Sequence, residues 1–347
     1  MTHTSLESKQ TRIGFWTPYL KSKRGNSTTA LRIVTGLRGA GYDVEVFSYE
    51  EETWNKESIE RMGTCDLFHI LHFYRFSMWQ IHNGFGLTKP YVVTSGGTDV
   101  HQNIHNPDQR EQMNALLNNA SAITVFTKDA ATVVEDVYPS ARGSISVIPQ
   151  SVWLPERTNY QGLQLESGFP KLLLPAGLRS VKDVFYVFGA LKLLQTRYPM
   201  IKFTIVGESL EEDILREVKT HEEAYPWFRY ISGIPLGAMH QMYEWADVVI
   251  NTSITEGQPL ALMEAMAFGV PVLARDNAGN RSLVDDGADG LMFCNPSEFT
   301  EQFVRLIDDE KLYKDISSHA KDKASSKFSL DFEIKQYEEK YKLIRGV

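Results

Sequence analysis

The stretch NTSITEGQPLALMEAMAFGVPVLA, from Asn251 to Ala274, predicts the end of a strand, a turn, a short helix and a second strand. The apolar residues 248–250 just before it leave no polar face, which is typical of a strand buried on both sides of a parallel sheet. Pro259 suits the first position of the helix, where its missing N–H would have no partner. Gly269 and Pro271 are expected to end that helix. The stretch therefore predicts an α/β fold with parallel strands.

The turn at residues 255–258 and the start of the helix predict a site for an anion. The first amides of a helix have no partner inside it, and the helix dipole favours negative charge there. Gly257 would let a phosphate approach the main chain closely. Glu256 lies in the turn, and Glu264 lies roughly 7.5 Å further along the helix axis. Either these are a capping acid and a solvated acid, or they contact two parts of one elongated ligand; the apolar neighbours of Glu264 favour the second interpretation.

A phosphate site needs cations, and the segment AGLRSVKD contains Arg179 and Lys182. This segment follows the first predicted strand of the second half of the chain. Parallel α/β sheets bind ligands at the carboxyl ends of their strands, so both cations are expected at that edge. Arginine can bind a phosphate through two N–H groups, whereas lysine acts as a point charge. We expect the two to hold one diphosphate.

Short β-branched runs alternate with helical periodicity along the chain, which predicts two α/β units. The predicted strands are RIGFW, DVEVF, DLFHIL, PYVVTS, SAITVF and SISVI, then KLLLPA, KFTIVG, FRYIS, DVVINTS and PVLA. The polar, proline-bounded residues 149–170 predict the linker. We place the domains at residues 1–160 and 161–328. The final helix, at residues 329–347, has an apolar stripe and is expected to pack back on the first domain.

Composition excludes several classes of protein. The chain has 347 residues and a net charge of −8, which argues against binding nucleic acid through a basic surface. Cys65 and Cys294 are predicted to be buried thiols in a reducing compartment, because their spacing suits neither a disulfide framework nor a metal site. The polar N-terminus and the absence of a long apolar run predict a cytoplasmic protein. Weak peripheral membrane contact stays open, although no strongly basic amphipathic helix supports it.

The two glutamates and the two cations together resemble a known family. Glu256 and Glu264 match the E-x7-E signature of retaining family-4 glycosyltransferases, and GLRSVKD resembles the diphosphate motif of that family. A narrower resemblance, to one member of this family, extends over nearly the whole chain, through GNSTTALRI, GGTDV, GLRSVKD and EGQPLALMEAMAFGVPVLARDNAGN. It implies the GT-B fold, in which two Rossmann-like domains face each other across a cleft. It also implies retaining transfer of a sugar from a nucleotide-sugar, most often a UDP-sugar.

The resemblance implies roles for individual residues. Arg179 and Lys182 would hold the donor diphosphate, Glu256 the hydroxyls of the transferred sugar, and Glu264 the ribose. The other residues expected at the donor are Gly25 and Asn26 in the loop before the first helix, Gly257, Gln258, Pro259 and Leu260 at the turn, and Tyr230 and Ile231 beside the base. Fixed cations can replace Mg²⁺, and there is no Asp-x-Asp motif, so we expect transfer without a metal or other cofactor.

The chain departs from the family pattern T-x-H-G-x-D at residues 94–99. Gly96 stands where the family has a sugar-facing histidine. His101 nearby is either part of the site or an ordinary loop residue. The residues expected on the sugar or acceptor side are Gly97, Thr98, Asp99, His101, His72, Tyr74 and Arg75, with aromatic core packing as the alternative for the segment around His72.

Two other functions stay open on the sequence alone. A sugar-nucleotide epimerase or hydrolase of the GT-B type would use the same donor site without an acceptor. A non-catalytic nucleotide-sugar-binding protein would bind the donor without turnover. Turnover of a UDP-sugar with and without acceptors distinguishes the three.

Overall fold

The structure is a computed structural model that describes residues 11–22, 25–154 and 156–346. Most of the polar N-terminal stretch on which the prediction of location rests, residues 1–10, lies outside the described residues. The chain divides into two compact units, Met1–Gln150 with Leu330–Val347, and Ser151–Ser329. Within the described ranges, no helix is both long enough and apolar enough to cross a membrane.

The first unit is a parallel sheet covered by helices. Its described strands run in the order β2-β1-β3-β4-β5-β6. The strands are β1 Arg12–Thr17, β2 Asp43–Ser48, β3 Leu67–Leu71, β4 Tyr91–Thr94, β5 Ala122–Val125 and β6 Ile145–Val147. The helices are α1 Gly25–Gly39, α2 Lys56–Gly63, α3 Phe73–Asn83, α4 Thr98–His101, α5 Pro107–Asn118 and α6 Lys128–Val137, with three-ten helices at Asn103–His105 and Pro139–Ser144.

Side chains of β1 alternate between two apolar clusters, as the period of a strand requires. Ile13 and Phe15 belong to one cluster, and Trp16 belongs to the other. All three side chains are fully buried. The strand is therefore covered on both faces, which explains why its sequence is apolar throughout.

The second unit repeats this architecture. Its described strands run in the order β12-β11-β10-β7-β8-β9. The strands are β7 Lys171–Pro175, β8 Lys202–Val206, β9 Phe228–Ile231, β10 Val248–Asn251, β11 Val272–Arg275 and β12 Leu291–Phe293. The helices are α7 Phe188–Arg197, α8 Glu212–Ala224, α9 Met239–Trp245, α10 Leu260–Ala267, α11 Ala278–Arg281, α12 Pro296–Asp308 and α13 Glu310–Lys327, with three-ten helices at Ser180–Lys182 and Leu236–Ala238.

The last helix, α14 Leu330–Arg345, belongs to the first unit. Its Ile334, Tyr337 and Tyr341 are buried in the cluster that includes residues of α1. A buried ion pair joins the same two helices, with Arg32 Nε 2.9 Å from Glu333 Oε2. Arg32 also donates a hydrogen bond to Gln150 Oε1 at 3.0 Å.

Two features differ from the predictions. The first unit ends at Gln150 rather than at residue 160, because the next segment contacts the second unit. There, the Val152 N–H donates to Phe328 O at 2.8 Å, and Thr158 N–H donates to Gly237 O at 3.0 Å. The prediction of two buried cysteines was wrong for one of them, since Cys65 is buried but Cys294 is exposed.

Candidate functional site

The strand order of the second unit places two loops side by side. From β7 the chain builds β8 and β9 on one side, and then crosses back to build β10, β11 and β12 on the other. Neighbouring parallel strands whose connections leave in opposite directions form a topological switch point, where α/β sheets bind ligands. Here β7 and β10 are those neighbours. Lys182 follows β7, and Glu256 follows β10.

The predicted residues Lys182 and Glu256 contact each other directly. Lys182 Nζ lies 2.5 Å from Glu256 Oε1, and the two side chains are 18% and 11% exposed. The same oxygen accepts hydrogen bonds from Asn251 Nδ2 at 3.0 Å and Ser253 Oγ at 2.7 Å. Burial raises the pKa of Glu256, but Lys182 and these two donors more than offset it, so the pKa lies below its ordinary value. The carboxylate is therefore ionised at neutral pH.

The backbones of the two loops are also joined. Thr252 Oγ1 donates to Lys182 O at 2.9 Å. The N–H of Ile254 donates to Val181 O at 2.9 Å. The positions of Lys182 and Glu256 therefore depend on one connected structure rather than on two independent loops.

Arg275, at the end of β11, holds the same loops from a third strand. Its Nη1 donates to Asp183 Oδ2 at 2.8 Å and to Thr252 O at 3.2 Å. Its guanidinium lies 3.6 Å from the centre of the Tyr186 ring, within the range of a cation–π interaction. Asp183 has a φ of 42°, a left-handed conformation that is uncommon outside glycine. Arg275 thus anchors the side chain of Asp183, the residue after Lys182.

Two asparagines fix the turn that carries Glu256. Asn280 Nδ2 donates to Asn251 Oδ1 at 3.1 Å, and Asn277 Nδ2 donates to Ser253 O at 3.0 Å. Gly279 packs so closely against the carbonyl group of Glu256 that a Cβ there would overlap it. None of these residues is marked as functional by the sequence motifs. Asn251 and Ser253 could have been selected, because they immediately flank the end of the same predicted strand.

Arg179 is placed differently from Lys182. Its side chain is exposed and makes no hydrogen bond or ion pair within the described residues. The following residue, Ser180, is held by Glu211, whose Oε2 accepts from the Ser180 N–H at 3.0 Å. The site therefore combines an exposed cation with one that is already paired.

The turn and helix α10 form as predicted, with one correction. The helix begins at Leu260, and Pro259 is the residue before it, with a φ of −80° and a ψ of 87°. This ψ lies outside the helical range, so the prediction of Pro259 as the first helical residue was wrong. Gly257 and Gln258 are partly exposed, and among the described residues no side chain caps the start of α10 with a hydrogen bond.

Glu264 is only 8% exposed, as its apolar neighbours suggested. Its Oε2 accepts a hydrogen bond from Tyr243 Oη at 2.5 Å. Burial and the nearby Glu264 carboxylate raise the pKa of Tyr243 well above its ordinary value. The phenol therefore remains a donor throughout the neutral range. Tyr243 lies outside the sequence motifs and is a further residue of this site.

Tyr230 and Ile231 lie at the carboxyl end of the edge strand β9. The Tyr230 N–H donates to Glu222 Oε1 at 3.0 Å, and Ile231 O accepts from the Gly207 N–H at 3.1 Å. Two of the backbone groups expected beside the base are thus already engaged within the fold.

The predicted acceptor-side residues of the first unit lie mainly at the ends of β3 and β4. His72 is 1% exposed and precedes α3, and Asp99 is fully buried. Tyr74 packs partly against the apolar cluster that contains Trp16, and Arg75 Nη1 donates to Tyr19 Oη at 3.0 Å. The remaining predicted residues of this segment are less buried: Gly97 is partly exposed, and Thr98 and His101 are exposed.

Gly25 and Asn26 also lie in the first unit, but not in a loop. They form the first turn of α1, so the expectation of a loop at these positions was wrong. Gly25 is exposed, and no atom of the described residues would touch a Cβ placed on it.

The described residues contain no group of three or more histidine, cysteine, aspartate or glutamate side chains that could hold a metal ion. The charged groups of the second-unit site are instead cations from one loop and a carboxylate from the other. Such a site can bind an anion through Arg179 and Lys182, and it can accept hydrogen bonds through Glu256.

The fold and this site define the class of protein. Residues 156–323 match the family described as Glycosyl transferases group 1. Two parallel sheets of this type are those of the GT-B fold, so the predicted fold class is confirmed. The chain is a glycosyltransferase, and residues 156–323 carry its similarity to that group.

Individual relatives agree with this assignment. The chain is 27% identical to glycosyltransferase 1 domain-containing protein 1 of Xenopus tropicalis, over 92% of this chain and 94% of the relative. HepE of Anabaena, solved in complex with UDP-glucose, superposes with a TM-score of 0.76 at 18% identity, over 96% of this chain and 99% of HepE. Pneumococcal GtfA, an O-GlcNAc transferase solved with UDP and GlcNAc, gives a TM-score of 0.64 at 15% identity, over 84% of this chain and 60% of GtfA.

Proposed function

We propose that this chain transfers a sugar from a UDP-sugar to an acceptor, with retention of anomeric configuration and without a metal ion. The observation that carries the proposal is the Lys182–Glu256 pair at the switch point of the second sheet, with the exposed Arg179 beside it in sequence. The complexes of HepE with UDP-glucose and of GtfA with UDP and GlcNAc support UDP as the nucleotide.

In this proposal, binding of the donor breaks the Lys182–Glu256 ion pair and gives each of the two side chains a new partner. The exposed Arg179 binds the diphosphate, and Lys182 turns from Glu256 to the same phosphates. Glu256, which keeps its hydrogen bonds from Asn251 and Ser253, then accepts hydrogen bonds from the sugar hydroxyls. Glu264 binds the ribose, with Tyr243 fixing its orientation.

The two cations also act on the bond that breaks. When the sugar leaves, negative charge develops on the diphosphate, and Arg179, Lys182 and the amides at the start of α10 stabilise that charge. Removal of one such preorganised donor costs about 3–4 kcal/mol in the transition state. Because fixed cations supply this stabilisation, the proposed reaction needs no divalent ion.

The test is turnover of UDP-glucose and UDP-GlcNAc with monosaccharide, glycolipid and peptide acceptors in EDTA. UDP release should depend on an acceptor, and NMR of the product should show the donor's anomeric configuration. Arg179→Met should abolish release, whereas Arg216→Met, a change at an exposed arginine of α8, should not. An inverted product would contradict retention, and loss of activity in EDTA with rescue by Mn²⁺ would contradict metal independence. UDP release that needs no acceptor would favour a hydrolase.

A further inference from the structure

The second unit has a pocket outside the proposed donor site, on one face of the sheet edge formed by β8 and β9. Lys202 and Thr204 of β8 line it, together with Trp227 just before β9 and Arg229 on that strand. Thr204 is the register partner of Arg229, so the side chains of this set share one face of the sheet. The pocket begins at the first residue of β8, whereas the donor site follows the carboxyl ends of other strands.

The linker and α9 cover this pocket. Gln164, Leu165 and Glu166 line it from the linker, and Trp245 lines it from the end of α9. The Trp245 Nε1–H donates to Glu166 O at 2.8 Å, which fastens the linker to that helix. The enclosed part of the pocket has a volume of about 10 Å³, and the whole depression, with its part open to solvent, has about 240 Å³. The enclosed part therefore has room for about one water molecule or one hydroxyl group.

One buried hydroxyl of this pocket has its hydrogen-bonding capacity unused. Thr204 is only 4% exposed, yet its hydroxyl makes no hydrogen bond to any residue that the structure describes. Buried hydroxyls normally have a partner, because their removal from water is costly. Thr204 lines the pocket, so a group that enters the enclosed part can supply the missing partner.

The charged groups of the pocket favour a neutral ligand. Glu166 Oε2 pairs with Lys202 Nζ, and Glu166 Oε1 lies 3.5 Å from Arg229 Nη1. A bound anion would meet the Glu166 carboxylate, and a bound cation would meet Lys202 and Arg229. The two cations have more N–H groups than these contacts use, and Glu166 has further lone pairs, so the pocket can both donate and accept. Hydroxyl groups match it, because each of them also donates and accepts.

We propose that this pocket is a non-catalytic binding site for a neutral sugar. One hydroxyl of the sugar enters the enclosed part and bonds to Thr204, and the C–H groups of its ring pack against Trp227 and Trp245. Aromatic rings with a few polar groups beside them are typical of small-ligand sites. Phe188 supports Trp227 by stacking on it with a centroid distance of 5.1 Å. The inference goes beyond the proposed function, because it assigns sugar binding to a site that takes no part in transfer.

The first test is an NMR titration of the full chain with D-glucose, D-galactose and N-acetylglucosamine, with and without UDP. At least one sugar should give a saturable shift of the indole N–H signals of Trp227 and Trp245, and UDP should leave that shift unchanged. Thr204→Ser should retain binding, and Thr204→Val should bind about fivefold more weakly, as the loss of one hydrogen bond implies. Thr220→Val, at an exposed threonine of α8, is the matched control and should bind normally. No saturable shift with any of the three sugars, or full binding by Thr204→Val, would overturn the proposal.

The second test separates binding from folding. Thr204→Val should unfold at no lower temperature than the unchanged protein, because the hydroxyl it removes has no partner among the described residues. A lower unfolding temperature would show that this hydroxyl is already bonded in the free protein, and would overturn the argument for a missing partner. Trp245→Phe should retain part of the sugar binding, read at Trp227, that Trp245→Leu loses. Equal binding by these two variants would exclude the aromatic contact.

A third measurement tests the class of ligand. Inorganic phosphate, as the anion probe, should leave the signals of Trp227 and Trp245 unchanged. A saturable shift with phosphate in place of the sugars would identify an anion site and overturn the proposal. Calorimetric titration with UDP reports on the donor site separately, so failure of the proposed transfer chemistry would be recognised independently.

Discussion

Replacement of Lys182 by methionine tests whether the Lys182–Glu256 pair is an energetic element of the second unit. The substitution keeps the length of the side chain and removes its charge. Glu256 would then be an ionised carboxylate, 11% exposed, without its cation. Loss of one partner from a buried ion pair costs about 3–5 kcal/mol, because the other charge remains buried.

The expected loss is smaller here for two reasons. Glu256 Oε1 keeps hydrogen bonds from Asn251 and Ser253, each contributing about 1 kcal/mol. The exposed part of the Lys182 side chain also shows that water can approach the pair, which weakens its electrostatics. We therefore expect a loss of roughly 2–3 kcal/mol in the local stability of the turn at neutral pH.

Amide hydrogen exchange of a peptide covering residues 248–268 measures this loss directly. Exchange should accelerate by about 30-fold to 150-fold in Lys182→Met, since each 1.4 kcal/mol is a factor of ten. Adding Glu256→Gln should restore most of the protection, because no buried charge is then left unpaired. The matched control is Lys192→Met, at an exposed lysine of α7, which should not alter this peptide.

The pH dependence gives the sign of the effect. The pKa of Glu256 is lowered in the fold, so the stabilisation is present above the ordinary glutamate pKa and is lost as pH falls through the lowered value. The difference in protection between Lys182→Met and the unchanged protein should therefore be full at pH 7 and should shrink in acid. A difference independent of pH, or no rescue by Glu256→Gln, would refute the reasoning.

Three further predictions concern contacts in the two units. Gly96→Ala should destabilise the first unit by about 1–3 kcal/mol, because the new Cβ would overlap His72. A double-mutant cycle measured by urea unfolding should show a smaller cost of Gly96→Ala in a His72→Ala background. Tyr243→Phe should lower stability in thermal unfolding by about 1.5–3 kcal/mol, because it removes a donor from the buried Glu264; an unchanged midpoint would contradict this. Arg275→Met should weaken UDP binding several-fold in calorimetry and accelerate exchange in residues 179–183, and unchanged exchange there would show that Arg275 does not hold that loop.

Much of the fold could be predicted from the sequence because most of the strands are buried on both faces and are therefore apolar runs. The eleven strands proposed from such runs are all present. The strand β12, which was not predicted, is only three residues long and lies at the edge of the sheet, where it pairs with β11. Three apolar residues are too few to show a period, so neither the length nor the pattern of Leu291–Phe293 could identify it.

The residues of the site were easier to predict than their contacts. Glu256 and Lys182 were selected from spacing and from their positions after strands, but their direct ion pair depends on β10 lying beside β7. The bond from Arg275 to Asp183 also depends on strand order, since 92 positions separate the two residues. No local pattern carries such information.

The same limit applies in the first unit. Gly96 was recognised as a departure from the family pattern, and His101 was considered as a substitute. The imidazole that occupies the space beside Gly96 belongs to His72, which directly follows the neighbouring strand β3. That relation follows from the pairing of β3 with β4 and from the left-handed backbone at residue 72. Neither of these features can be inferred from the letters of the motif.

The measurement that tests the central claim most directly is calorimetric titration with UDP in EDTA. If Arg179 and Lys182 form the diphosphate site of the second unit, the unchanged protein should bind UDP without a metal ion. Arg179→Met should then weaken binding by at least about tenfold, since one charge-assisted hydrogen bond is typically worth 1.5–3 kcal/mol. Absence of UDP binding in EDTA, or equal binding by Arg179→Met, would contradict the account.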